Sequence, residues 1–232
     1  MSTLANKVAL ITGAKGGLGT TVTRAFLEAG ATVMGVSRSI AASDFSHPRF
    51  VAMPAELKNL EAARQLVRNA VEHAGRVDAL IHLVGGWAGG RAVSETDEAA
   101  LDRMLDMNFK SAFQVAAAVV PVMRQQGHGA ILAVGSRSAV EPAPLSGAYN
   151  AAKAALVMLI RTLAAENQEQ GISANIVLPG TMDTPANRAG SPEADYSKWV
   201  RPEQVASMLV HLASDAARQV NGAVIPVYGS AA

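Results

Sequence analysis

Tyr149 and Lys153 stand four residues apart in the run Tyr-Asn-Ala-Ala-Lys. On a helix, that spacing puts a phenol and an ammonium on one face. A phenol normally ionises near pH ~10 and shuttles protons poorly at neutral pH. A neighbouring positive charge favours the phenolate and lowers that value. The pair is therefore a candidate for general acid–base work. Taken singly, each residue has a plainer role, a tyrosine tip at a wet surface and a solvated lysine.

A second constellation lies near the N-terminus, in Thr12-Gly13-Ala14-Lys15-Gly16-Gly17-Leu18-Gly19. It follows a short apolar run and opens a helical stretch. Glycines serve where backbone must turn tightly and approach a pyrophosphate, and the helix N-terminus offers free N–H groups to the phosphates. Gly13, Gly17, Leu18 and Gly19 are thus expected to cradle a dinucleotide. NAD-preferring sites place a carboxylate at the end of the second strand, on the ribose 2′-hydroxyl. Ser37 and Arg38 stand there instead, with Lys15 in the loop. Two cations without a carboxylate suit a 2′-phosphate, so NADP(H) is expected over NAD(H). The alternative is that both cations are solvated surface charges.

The elements that must position these groups alternate along the chain. Apolar, β-branched runs at 8–12, 32–36, 79–84, 130–134, 174–178 and 223–227 read as strands buried on both faces. Helical spacing recurs at 18–29, 59–74, 98–126, 149–170 and 202–214. Ser94, Thr96 and Asp97 offer caps before the third helix, and Gly30, Gly75, Gly127 and Gly171 stand just past helix ends. This rhythm predicts an α/β fold, a single-domain doubly wound parallel sheet with helices on both faces, over residues 1–232. Residues 179–202 break the rhythm, being polar with four prolines, and are expected to form a functional loop.

The glycine loop, Ser37-Arg38 and Tyr149–Lys153 together resemble the short-chain dehydrogenase/reductase family, whose Rossmann-like domain the likeness covers almost end to end. The resemblance implies more. Ser136, thirteen residues before Tyr149, would orient the substrate oxygen. Asn108, in Met-Asn-Phe, would hold a water in a proton relay. Lys153 would also bind the nicotinamide ribose, with Pro179, Gly180 and Thr184 at the nicotinamide. Hydride would pass from the reduced nicotinamide to an electrophilic carbon as Tyr149 donates the proton, and the positive charge of the oxidised ring would help Lys153 lower the tyrosine's pKa. Glu56 falls where the family often has an acid on the adenine amino group.

The family's Asn-Asn-Ala-Gly after the fourth strand is replaced by His82-Leu83-Val84-Gly85, with Gly85 keeping the place beside the cofactor. The run Gly85-Gly86-Trp87-Ala88-Gly89-Gly90 and the Asp183-Thr184-Pro185-Ala186-Asn187-Arg188 segment are similar to dihydropteridine reductases, a divergent branch. That branch generally lacks the active-site serine and the helix asparagine, and it prefers NADH. Ser136 therefore favours a carbonyl substrate, cyclic or planar, with Trp87 stacking on its ring or else serving as a plug or subunit contact. The readings in order are an NADP(H)-dependent carbonyl reductase, a quinonoid dihydropteridine reductase, and a non-catalytic NADP-sensing protein.

Composition narrows the partners. Twenty basic residues against nineteen acidic give a net charge of +1, which disfavours nucleic acid. Half the residues are hydrophobic, enough for a large core, and the absence of cysteine removes disulfide and thiolate chemistry. The five histidines have no metal-ligand spacing, so no metal is expected. With no leader or membrane segment visible, a cytoplasmic protein acting on a small molecule is expected. Alanine-rich faces on the two long helices, together with family habit, imply a homodimer or homotetramer.

Overall fold

The computed structural model describes residues 3–229, so the first two and last three residues of the expected 1–232 domain lie outside the described residues. The strands are β1 (Val8–Thr12), β2 (Thr32–Ser37), β3 (Phe50–Pro54), β4 (Ala79–His82), β5 (Gly129–Val134), β6 (Ile172–Pro179) and β7 (Val224–Val227). All pair in parallel, in the order β3-β2-β1-β4-β5-β6-β7. The helices are α1 (Gly17–Glu28), α2 (Leu60–Ala74), α3 (Glu98–Leu105), α4 (Ser111–Gln126), α5 (Gly147–Asn167), α6 (Pro185–Gly190) and α7 (Pro202–Leu212).

Alternating strand residues feed two cores, as a sheet covered on both faces requires. Val8 and Leu10 of β1 pack with residues of α2, α4 and α5. Ala9 and Ile11 face the other way, against α1 and α7. The doubly wound Rossmann-like fold expected from the sequence is thus the fold of this chain. Among the described residues, no helix is long and apolar enough to cross a membrane.

Capping followed local chemistry. Asp97 accepts from the Ala100 N–H at 2.7 Å and starts α3. Gly30, Gly75, Gly127 and Gly171 all hold positive φ at helix ends. Three elements differ from expectation. β3 lacks a run in the sequence reading because it is an edge strand, only partly buried and ending in Pro54. The expected helix 98–126 is α3 and α4 joined by a π-turn at Asp106–Lys110. The extra residue shifts the helical phase once, and apolar residues on both sides of the shift let the stretch read as one helix. The segment 179–202 contains α6, begun by Thr184 as cap and Pro185 in the first turn.

Strand order reverses between β1 and β4, which opens a crevice beyond their carboxyl ends. The sequence-predicted site residues cluster at that edge.

Candidate active site

The glycine loop leaves β1 directly into this crevice. Gly13 has φ +75°, and a Cβ there would sit 3.0 Å from the Leu83 carbonyl carbon. A Cβ at Gly19 would come 2.0 Å from the Gly13 carbonyl oxygen, so no other residue fits without moving backbone. Gly16 caps α1 with no side-chain bond, and no acidic residue stands in the first turn. The helix N-terminus is therefore left for an anion. Thr184 approaches from the far loop, its Cβ 3.4 Å from where a Gly17 side chain would begin. Such a cradle of bare backbone fits a pyrophosphate. Leu18 is buried beneath it, in the core shared with α7. Ser37 ends β2, half-buried, with Arg38 exposed beside it. Glu56 is exposed and pairs with Lys58 at 3.0 Å.

Ser136, Tyr149 and Lys153 meet at the end of β5 and the start of α5. Tyr149 lies beside Ser136, and burial raises its pKa above the usual tyrosine value although the Ser136 hydroxyl opposes the shift. Ser136 Oγ accepts from the Ser138 N–H at 3.2 Å, which leaves its own proton free to donate. Lys153 Nζ lies 5.8 Å from the Tyr149 ring centre and donates to the Val134 carbonyl at 3.2 Å. Lys153 is only 5% exposed, and burial lowers its pKa to about 8. A Cβ at Gly85 would stand 2.8 Å from Asn108 Oδ1 and 3.2 Å from Lys153 Nζ, so only glycine leaves that meeting point open.

Asn108 occupies the π-turn, fully buried. Its amide makes a two-way bond with Gly86, donating to the carbonyl at 2.9 Å and accepting from the N–H at 3.1 Å, and donates again to Met104 O at 3.1 Å. Both amide hydrogens are thus engaged, one holding the Gly86 backbone and the other the preceding turn at Met104. A π-turn inside an α-helix is often a functional feature, and here it places this asparagine against the crevice.

An apolar rim surrounds the tyrosine's end of the crevice. Trp87 is 66% exposed. A Cβ at Gly89 would meet the Trp87 ring at 2.7 Å, Ser146 Oγ at 2.8 Å and Leu145 O at 2.9 Å. Leu145 holds φ +59°, a left-handed backbone unfavourable for leucine, and its carbonyl accepts from the Gly90 N–H at 2.8 Å. Val93, also exposed, abuts Gly147 at the start of α5.

Pro179 and Gly180 lie where β6 runs into the long loop, and Gly180 is packed against the Tyr228 carbonyl. The loop closes at its base, Asp183 N–H donating to Val200 O at 2.8 Å and Val200 N–H to Thr181 O at 2.8 Å. Arg188 clasps Asp183 with two bonds, and Tyr196 packs on Trp199 with ring centres 4.8 Å apart. A cavity of about 620 Å³ lies between this loop and β7.

The short chain dehydrogenase profile matches residues 7–195, more than half of the chain. The chain belongs to the short-chain dehydrogenase/reductase family. It is 30% identical to the short chain dehydrogenase adrF of Penicillium roqueforti, over 98% of this chain and 97% of that protein. It is 29% identical to the 3-oxoacyl-[acyl-carrier-protein] reductase FabG of Thermotoga maritima, over 97% and 98% of the two. The crystal structure of gox2181 matches with a TM-score of 0.90 at 31% identity, covering 97% of this chain and 95% of that one.

As a short-chain dehydrogenase/reductase, the chain is an NAD(P)-dependent oxidoreductase acting on a small molecule. Sequence reasoning missed several residues beside its site. Leu145 and Val93 carry no motif, and only the fold brings them together with Trp87. Asp44 also went unnoticed, in a polar stretch between strands, although it pairs with Lys15 at 2.9 Å.

Proposed function

We propose that the protein reduces a small carbonyl compound with NADP(H), and that Tyr149 is the general acid. The carrying observation is the convergence of Tyr149 and Ser136 beside buried Lys153, whose Nζ lies 5.8 Å from the Tyr149 ring centre. A phenol whose pKa is raised by burial keeps its proton at neutral pH, as a donor in the reductive direction must. When bound, the cofactor supplies the hydride. Ser136 donates to the substrate carbonyl oxygen and holds it toward the Tyr149 hydroxyl. Tyr149 then passes its proton to that oxygen. Lys153, charged below about pH 8, stabilises the phenolate left behind and holds the ribose. Asn108 acts through backbone, fixing Gly86 as part of one wall of the cofactor's place.

NADP(H) is favoured over NAD(H) by Lys15 and Arg38 near the end of β2 and by the lack of a carboxylate at Ser37-Arg38. A carbonyl substrate is supported by the 29% likeness to a 3-oxoacyl reductase and by the free proton of Ser136. Residues 179–202 form the substrate loop, with Trp87, Ser136 and Tyr149 facing the substrate. Exposed Phe113 on α4 and Met158 on α5 favour a dimer or tetramer through these helices. The reaction fits the cytoplasm.

Trp87 favours a second reading. An exposed indole at the rim stacks readily on a flat ring, in keeping with the dihydropteridine reductase-like Gly-Gly-Trp-Ala-Gly-Gly run. The test is turnover of ketones, 3-oxoacyl thioesters and quinonoid dihydrobiopterin, each with NADPH and NADH. Carbonyl reduction with NADPH is expected. Efficient pterin reduction with negligible ketone activity transfers the assignment to the second reading. Tight NADPH binding without turnover of anything in a wide panel makes the protein a cofactor sensor.

A further inference from the structure

Lys15 was expected to stand open to a 2′-phosphate, and it does not. Its Nζ lies 2.9 Å from Asp44 Oδ1 and donates to the Ser39 carbonyl at 3.0 Å. Asp44's other oxygen accepts from the Ala41 N–H at 2.8 Å. That backbone bond first, and Lys15 second, hold the carboxyl below its usual range. The turn carrying Asp44 is anchored on both sides, since Ile40 and Phe45 are 3% and 7% exposed and Phe45 packs on Phe50 with ring centres 4.7 Å apart. Arg38, by contrast, is exposed and has no ion pair among the described residues.

The pocket edge thus holds two cations and one fixed carboxylate, not two cations alone. An exposed ion pair is weak, so a dianionic phosphate, a better partner for an ammonium, can take Lys15 over. It must do so against Asp44, whose negative charge stays close by. A cofactor without the phosphate meets neither competition nor repulsion there.

Resting on the assignment of Lys15 and Arg38 to the cofactor's phosphate end, we infer that Asp44 sets the selectivity between NADPH and NADH, by occupying Lys15 and repelling the 2′-phosphate. Lys15 is then a cation held in reserve, and Asp44 the residue that limits preference for the phosphorylated cofactor. Neither role is visible in the Ser37-Arg38 dipeptide that the sequence reading relied on.

The test is titration of NADPH and NADH into the whole purified protein, followed by nucleotide fluorescence. Asp44→Asn keeps an acceptor for the Ala41 N–H, so the turn is preserved. It is expected to tighten NADPH binding about tenfold while NADH changes by less than about twofold. The gain is expected to vanish when Asp44→Asn is combined with Lys15→Met. A NADPH/NADH affinity ratio unchanged within about twofold overturns the inference, and so does a gain that survives loss of Lys15. A native protein that binds NADH more tightly refutes the NADP(H) proposal instead, and leaves this one standing if the ratio shifts as stated.

Discussion

The two edges of the sheet both bury ionisable groups, and they treat them in opposite ways. At the amino ends of the strands, the Asp78 side chain is 2% exposed. It accepts from the Val8 N–H at 2.8 Å, from Arg76 Nε at 3.0 Å and contacts His128 Nε2 at 2.9 Å. Burial pushes its pKa up, but Arg76, the Val8 amide and His128 outweigh that, and the carboxyl ends below its usual range. At the carboxyl ends, burial wins. Tyr149 is raised, Lys153 falls to about 8 and His82 to about 3, and none has a carboxylate partner among the described residues. One edge offsets a buried charge with partners, and at the other burial shifts each group toward its neutral form. Compensation marks structure, and its absence beside a crevice marks chemistry.

The sharpest way to break this contrast is to change one group at each edge. Tyr149→Phe removes the proposed proton donor alone and is expected to lower kcat about 10³-fold, with NADPH affinity within a few-fold of native. Near-normal turnover by that variant refutes the assignment. Asp78→Ala leaves Arg76 and the Val8 amide without their buried partner and is expected to lose about 3 kcal/mol of stability in urea melts. Its kcat, measured where it is folded, is expected to stay near native. Because Asp78 has a depressed folded-state pKa, its contribution is full above the unfolded carboxyl pKa and fades as pH falls through the folded value. A native-like melting curve, or a crippled but stable Asp78 variant, breaks the division between edges.

The carboxyl-edge pKa values sharpen it further. On the proposed mechanism, reduction needs Tyr149 protonated and Lys153 charged. Tyr149 keeps its proton well past pH 8, since its pKa is raised, whereas Lys153 loses its charge through about 8. Reductive kcat/KM is therefore expected to fall above pH 8, approaching a tenfold loss per pH unit. A profile flat to pH ~9.5 means that Lys153 stays charged in the free enzyme, and that burial does not dominate there.

The sequence disclosed the carboxyl edge far better than its mechanism. Glycines, Tyr149–Lys153 and strand rhythm are local signals, so the fold and the cluster of Gly13, Ser136, Tyr149 and Lys153 were legible. What needed three dimensions was how the groups are used. Asn108 could be placed on a helix, but not in a π-turn with both amide hydrogens engaged. Lys15 could be seen as a cation, but its Asp44 partner sits twenty-nine residues on, in a turn with no motif. The ammonium and an oxidised nicotinamide together were expected to lower the Tyr149 pKa, and in the protein alone the phenol's burial raises it. Burial is a property of the whole packed chain, and spacing does not encode it.

The smallest expected effect concerns His82, a buried carboxyl-edge group with no part in the proposed proton transfer. Its Nδ1 lies 2.9 Å from Thr12 Oγ1 and its Nε2 3.3 Å from Ser111 Oγ, while Ser111 donates its hydrogen to Met107 O at 2.8 Å. Ser111 can then only accept from His82, so Nε2 carries the hydrogen and Nδ1 accepts from Thr12. The ring is held neutral, by burial first and by Lys153's charge second. It links the strand ahead of the glycine loop to the π-turn that carries Asn108. His82→Asn is expected to cost about 1 kcal/mol in stability, through weakened bonds to Thr12 or Ser111, and to leave the pH dependence of turnover unmoved. Nitrogen NMR of the native ring should report the single Nε2–H form from pH 5 to 9. A titration in that range, or one lost from the rate profile on substitution, makes His82 a proton carrier and moves it to the chemical side of the contrast.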